Sequence, residues 1–173
     1  MPLTEEQRAK LVKETKSWIS TPYRGWSRVK GPRGGVDCGQ ILAAVYSNTG
    51  FLSSDILDSL PKYYSLSVAQ HKESTEYIDL ISKYFDEIPE ADVQPGDIVV
   101  YKLAHAFAHA AIVVEWPAFV IHSFAHGGVR GASGDKHPRL MKTQRKFFTL
   151  KECYCSPARC SREGGCVNVD APG

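Results

Sequence analysis

Cys38 follows Asp37 and stands between a glycine-rich turn, Gly31 to Gly35, and an apolar run, Ile41 to Tyr46. That setting puts a thiol in the first turn of a helix. Unpaired backbone N–H groups and the positive end of the helix dipole favour a thiolate there. A lone cysteine is more often a buried small hydrophobe. Here the glycines allow close approach of backbone and substrate, and Arg24, Arg28, Lys30 and Arg33 precede the thiol. These features favour a nucleophile, with its own backbone N–H placed to donate to an oxyanion.

A nucleophile needs a base, and the base needs a group that holds its tautomer. His109 opens an apolar strand-like run, and the small residues Ala110 and Ala111 leave room for its ring to face a helix. It is the expected general base, with His105 as second choice. His122 lies between Ile121 and Ser123 and is the expected orienting group. If the two strands pair, both rings fall on one face. His126 and His137 lie in a glycine-rich stretch and read as solvent-exposed. The spacing of His105 and His109 lacks the glutamate of a zinc-peptidase helix, so no metal and no cofactor is expected. Cys153, Cys155, Cys160 and Cys166 crowd the C-terminus with a spacing unlike paired CxxC. Disulfides, a metal site and free thiols all stay open for them.

The elements that must carry these groups divide into two kinds. Thr4 and Gln7 form a capping-box pattern, and Leu11, Val12, Thr15, Trp18 and Ile19 recur at helical spacing until Thr21-Pro22 stops them. A second helix runs from Cys38 to about Asn48, with Asp37 as N-cap and Gly50 at its end. A polar linker leads through Pro61 to Tyr64, and a third helix spans roughly residues 76 to 85. After the turn Gln94 to Asp97 the pattern changes to strands at 98–101, 110–115, 119–123 and 146–150, bent at Trp116-Pro117. Helices first and strands second predict an α+β domain, with N-terminal helices packed on a small antiparallel meander. One domain over residues 1–152 and a Cys/Gly-rich tail over 153–173 account for the 173 residues. A net charge of +2 without an aromatic-basic stripe argues against nucleic acid, and no stretch is apolar enough for a membrane. The start of the chain lacks a secretory h-region, which predicts synthesis in the cytoplasm, with export by another route or packaging in a virion left open.

Five segments together resemble the NlpC-type cell-wall peptidases, compact papain-like cysteine peptidases. Thr21 to Gly25 is similar to the family's approach segment, which carries a tyrosine near the site, and Gly35 to Cys38 to its nucleophile motif. Pro95 to Val99 resembles the strand-opening turn, His109 to Val114 the base strand, and Val120 to Ser123 the strand of the third polar residue. The form of the nucleophile motif and the long insert after it look most like the phage-tail and prophage branch. The resemblance implies a papain-like fold and hydrolysis of an amide in peptidoglycan stem peptides, of the γ-D-glutamyl-diamino acid type, through a thioester. It assigns Cys38, His109 and His122 to catalysis and Tyr23, Arg24, Trp26, Asp37 and Gly39 to substrate binding and the oxyanion. The same dyad also suits an amidase, deamidase or transamidase effector with an immunity partner. A non-catalytic binding module of a phage tail is the remaining alternative.

Overall fold

The capping box forms as written. Thr4 accepts the Gln7 N–H at 3.2 Å while the Gln7 side chain accepts the Thr4 N–H at 2.8 Å, and helix α1 runs Glu5–Lys16. The computed structural model describes residues 2–61 and 74–154. Leu11, Thr15 and Trp18 are buried, but Ile19 is 44% exposed because the helix has already ended at Ser17. A short hairpin pairs β1 (Arg28–Val29) with β2 (Gly35–Val36). Gly34 in its turn is required by crowding, because a side chain there would run into the Val29 carbonyl.

Helix α2 runs Cys38–Asn48 and is apolar almost all round. Ile41, Val45 and Tyr46 are fully buried, which is how a helix at the centre of a core must read. Tyr46 packs edge-on against Phe85, and its hydroxyl donates to the Gly96 carbonyl. Two short helices follow, α3 (Ser54–Ser59) and α4 (Glu76–Ser82). α3 is not expected from the sequence pattern, although Ser53 Oγ caps it by accepting the Ile56 N–H. α4 is shorter than the expected span of residues 76 to 85, and Phe85 begins strand β3 (Phe85–Ile88) instead.

The sheet has six strands in the order β3-β8-β4-β5-β6-β7, with antiparallel neighbours throughout. Its remaining members are β4 (Ile98–Leu103), β5 (Ala106–Glu115), β6 (Phe119–Phe124), β7 (Gly128–Ala132) and β8 (Arg145–Leu150). Only β4 to β7 form the expected meander. β8 returns to pair with both β3 and β4, so the sheet is not a simple sequence of hairpins. β7 was read as a glycine-rich loop, because its alternation is hidden by two glycines among five residues. Gly128, at φ 65°, lies so close to the Thr21 carbonyl that no side chain fits.

A buried ion pair fastens α1 to this sheet. Asp97 accepts from Arg8 Nη1 at 2.9 Å, from Thr149 Oγ1 at 2.7 Å and from the Gln94 N–H at 2.9 Å. The sequence reading gave Asp97 the turn alone; it also anchors the first helix. Removing one partner of such a pair costs about 3–5 kcal/mol. Helices on one face of an antiparallel sheet make the α+β class that the sequence predicts. The linker residues Lys62, Tyr63 and Tyr64 and the cysteines Cys155, Cys160 and Cys166 lie outside the described residues. Cys153 is disulfide-bonded.

Candidate active site

Asp37 organises the nucleophile side. Its Oδ1 accepts the N–H groups of Gly39 and Gln40, both at 2.9 Å, which caps α2 directly behind Cys38. Its Oδ2 accepts the Trp26 N–H at 2.7 Å. Trp26 is held at φ 60°, a conformation that costs a non-glycine residue about 1–3 kcal/mol. One carboxylate, 1% exposed, thus fixes both the helix start and the indole beside it. The Gly39 N–H is consumed in this cap, so Gly39 contributes no oxyanion donor of its own.

Cys38 is the first residue of α2, and its sulfur lies against the backbone of β5 on both sides of His109. The thiol donates to the Ala108 carbonyl at 3.8 Å, and the Ala110 N–H points at the sulfur. The Tyr77 hydroxyl, from α4, donates to it at 3.9 Å. Tyr77 reads in the sequence only as part of an apolar helical stripe, and nothing in its spacing marks a polar task. Burial, followed by the Asp37 charge, pushes the thiol up to about 11, against the hydrogen bonds from Ala110, Tyr77 and its own N–H. Desolvation and the Asp37 carboxylate thus act on the thiol against the favourable helix start.

The histidine side is built by strand register. β5 and β6 pair Ile112 with Ile121 and Val113 with Val120. Continued toward the site, that register sets Phe124 opposite His109 and leaves His122 on the same face two residues away. His109 Nε2 and His122 Nδ1 meet at 2.8 Å. Both residues are buried, and loss of hydration lowers both rings, His109 to about 3 and His122 to about 4. Each also feels the other imidazoles or Arg130 as an unwelcome positive charge. The pair is neutral at physiological pH. His105 is exposed in the β4–β5 turn, away from this cluster.

His137, read as solvent-exposed, is half-buried instead. Its ring stands against His122 with centroids 5.8 Å apart, and against Phe124 at 6.3 Å. Phe124 touches all three imidazoles, and the Arg139 guanidinium covers it at 5.4 Å. His126 is exposed as expected.

Tyr23 pairs with Val36 immediately before Asp37. Burial, then the charges of Cys38 and Asp37, raise its hydroxyl to about 12. Arg24 is exposed, its side-chain stem packed over Gly35. Trp26, Arg28 and Gln40 line a cavity of about 260 Å³ with Leu57, Asp58, Leu60 and Pro61. A smaller apolar cavity of about 60 Å³ lies on the other flank, bounded by Gly39, Tyr77, Leu42 and Phe85 among others. Among the described residues no group of three metal-ligating side chains converges, and no helix is long and apolar enough to cross a membrane.

No family model matches the chain, and no curated protein matches it in sequence. Solved structures do match. The NlpC/p60 domain of the peptidoglycan hydrolase SagA is 17% identical, with a TM-score of 0.54 over 83% of this chain and 98% of that one. An NLP/P60-family lipoprotein-like protein of Staphylococcus aureus is 17% identical, with a TM-score of 0.58 over 87% of this chain and 44% of that one. NlpC1 of Trichomonas vaginalis is 15% identical, with a TM-score of 0.53 over 84% and 44%. The chain spans nearly all of the SagA domain but less than half of the other two proteins. A six-stranded antiparallel sheet, the Cys38 helix packed on it and these neighbours agree: the chain has the NlpC/p60 fold.

Proposed function

We propose that the protein is a cysteine hydrolase that cleaves an amide bond in peptidoglycan stem peptides, of the γ-D-glutamyl-diamino acid type. The observation that carries this reading is the seating of the Cys38 sulfur against the β5 backbone at Ala108, the residue before His109, whose Nε2 meets His122 Nδ1 at 2.8 Å. The names of the structural neighbours, one of them a peptidoglycan hydrolase, support the substrate class.

The resting thiol and imidazoles are neutral, so the chemistry starts from an uncharged pair. His109 takes the proton on Nδ1 as the sulfur turns from Ala108 and attacks the carbonyl carbon; Nε2 is engaged by His122. The tetrahedral oxyanion is met by the Cys38 N–H, with the Tyr23 hydroxyl beside it. Collapse expels the amine with the proton from His109, and a thioester remains. Water, deprotonated by His109, then releases the acid. The cavity beside Gln40 presents Arg28 and Asp58 together with the indole of Trp26. A guanidinium and a carboxylate suit a stem peptide, which carries both carboxylates and amines.

Purified muropeptides decide the matter. Incubation with the protein releases fragments split within the stem peptide, and a thioester adduct on Cys38 is trapped at low pH. Hydrolysis that persists in Cys38→Ala, or intact muropeptides with the native chain, would refute the proposal.

A further inference from the structure

Gln40 is out of character with the helix that carries it. Between Gly39 and Tyr46 it is the only residue with a hydrogen-bonding side chain, and it is 6% exposed. Its N–H is taken by Asp37 Oδ1 at 2.9 Å and its carbonyl lies within α2, so the group it has to offer is the side-chain amide. Among the described residues that amide has no hydrogen-bond partner. It is not sealed in apolar packing either: the fully enclosed side-chain atoms without a partner are Arg8 Nε and His122 Nε2. The amide opens on the cavity of about 260 Å³ that Gln40 lines. A polar group this deep in an apolar helix is costly unless something supplies its hydrogen bonds, and here only the cavity can.

Arg28 from β1 and Asp58 from α3 line the same cavity. Among the described residues neither enters an ion pair, with each other or with a third group, although nearby Lys30 is paired with Glu14 at 2.8 Å. A cation, an anion and a neutral amide around one small space complement a group that carries both charges on one carbon, the free end of an amino acid. Its carboxylate accepts from the Arg28 guanidinium and the Gln40 N–H groups; its ammonium donates to Asp58 and the Gln40 side-chain oxygen. The Trp26 indole, Leu57 and Leu60 supply apolar wall for a methylene chain. The volume falls just below the range for whole small-molecule ligands, about 300–1,000 Å³, which suits one amino-acid unit. Gln40 stands two residues from Cys38, a rise of about 3 Å along α2, so a unit bound there adjoins the reacting carbonyl.

We propose that Gln40, Arg28 and Asp58 form a specificity subsite for a free amino-acid end, and so select stem peptides whose diamino acid carries a carboxylate beside its distal amine, as diaminopimelate does and lysine does not. The proposal rests on the stem-peptide reading for its ligand. Binding is read first in Cys38→Ala, which cannot form the thioester. The Gln40 side-chain amide signals in ¹H–¹⁵N spectra are expected to shift with the tripeptide L-Ala-γ-D-Glu-diaminopimelate, and the lysine tripeptide should need about ten- to a hundred-fold higher concentration for the same shift. In the native chain kcat/KM should favour the diaminopimelate stem over the lysine stem by a similar factor. Arg28→Gln and Gln40→Met should each cut that preference about ten-fold, chiefly through KM. Asp58→Asn should instead cut the preference for a free over an acetylated distal amine. Arg28 and Asp58 are exposed and methionine is close to glutamine in size, so the fold is kept; should Gln40→Met fail to fold, Arg28→Gln and the Gln40 signals decide. Equal affinity of Cys38→Ala for the two tripeptides, Gln40 amide signals that stay in place, or a preference that Arg28→Gln leaves intact overturns the proposal. Stems bound with preference but never cut would sink the hydrolase reading and leave the subsite standing; stems cut without preference would do the reverse.

Discussion

The two sides of the site are fixed by different physics. The nucleophile side is local: one carboxylate, Asp37, gathers the N–H groups of Trp26, Gly39 and Gln40 from a segment of fifteen residues. The histidine side is assembled from afar. His109, His122 and His137 come from β5, β6 and the loop after β7, brought together by strand register and by Phe124. A single hydrogen bond, Ser123 Oγ to the Val36 carbonyl at 2.6 Å, stitches β6 to the residue before Asp37. The lesson is that the first side depends on a few hydrogen bonds and the second on packing, so they should fail differently.

The largest expected effect separates position from chemistry. Cys38→Ala removes the sulfur but touches neither the Asp37 clasp nor the imidazole pair. Turnover should fall to background, a loss of about 10⁴-fold or more. Thermal unfolding should stay within about 2 °C of the native chain, since the lost atom is a single sulfur. A melting temperature that collapses would show that the thiol is structural and that the two sides are not independent.

pH tells the sides apart by sign. His109 and His122 are lowered to about 3 and about 4 from the ordinary 6.5. Below pH 6.5 the unfolded chain takes up protons that the folded chain refuses, so stability falls as pH drops, by up to about 1.4 kcal/mol per unit for each histidine. Cys38 is raised to about 11 from 9.0. Above pH 9 the unfolded thiol ionises first, and stability falls as pH rises toward 11. Urea midpoints from pH 4 to 11 should therefore show an acid limb that His122→Asn flattens and a shallower alkaline limb that Cys38→Ala flattens. A flat profile below pH 6.5 would mean that the imidazoles are solvated.

Next in size is the clasp itself. Asp37→Ala strips three N–H groups of their acceptor and should cost about 2–4 kcal/mol in stability, a cap plus an unpaired buried donor. Trp26 then relaxes from φ 60° and no longer walls the cavity beside Gln40. Asp37→Asn sharpens the point, because an amide offers one acceptor oxygen where two are in use. It should keep the helix cap, lose the Trp26 contact, and raise KM more than it lowers kcat. Equal stability of the alanine variant and the native chain in urea would dispose of the local account.

The same contrast explains what the sequence revealed. Asp37 before Cys38, and the capping box at Thr4 and Gln7, are short-range signals that a backbone obeys wherever it folds, and α1 and α2 formed with their expected starts. The strands of the meander were legible from their apolar runs, as was the meeting of His109 and His122, since period-two alternation fixes which side chains share a face. What was not legible is tertiary. The insertion of β8 between β3 and β4 depends on a long-range pairing that no local pattern encodes. Phe85 looked helical because the apolar stripe of α4 continues into β3 without a break. The upward push on the Cys38 thiol comes from desolvation against β5 and from the Asp37 charge, which the composition around a residue does not reveal. His137 and Tyr77 reach the site from a loop and from a helix within the insert, and their types alone give no hint of the address.

Tyr77 supplies the smallest effect and the one test that bridges the two sides, because it touches the nucleophile without belonging to the clasp or to the imidazoles. Its hydroxyl donates to the sulfur at 3.9 Å, long enough that the bond is weak for the neutral thiol. A donor to sulfur gains strength once the sulfur is an anion, since charged hydrogen bonds are roughly twice as strong as neutral ones. Tyr77→Phe keeps the ring that packs on the main core, so folding should be unchanged. The loss should then be seen only where charge develops: kcat lower by about three- to ten-fold, KM unchanged, and the pH midpoint of iodoacetamide alkylation of Cys38 moved upward. Tyr23→Phe is the control, because the proposed role of Tyr23 is at the oxyanion and its hydroxyl is not among the hydrogen bonds that lower the thiol; it should lower kcat and move the alkylation midpoint less than Tyr77→Phe does. Superimposable alkylation profiles for Tyr77→Phe and the native chain would reduce Tyr77 to packing and return the nucleophile side to Asp37 alone.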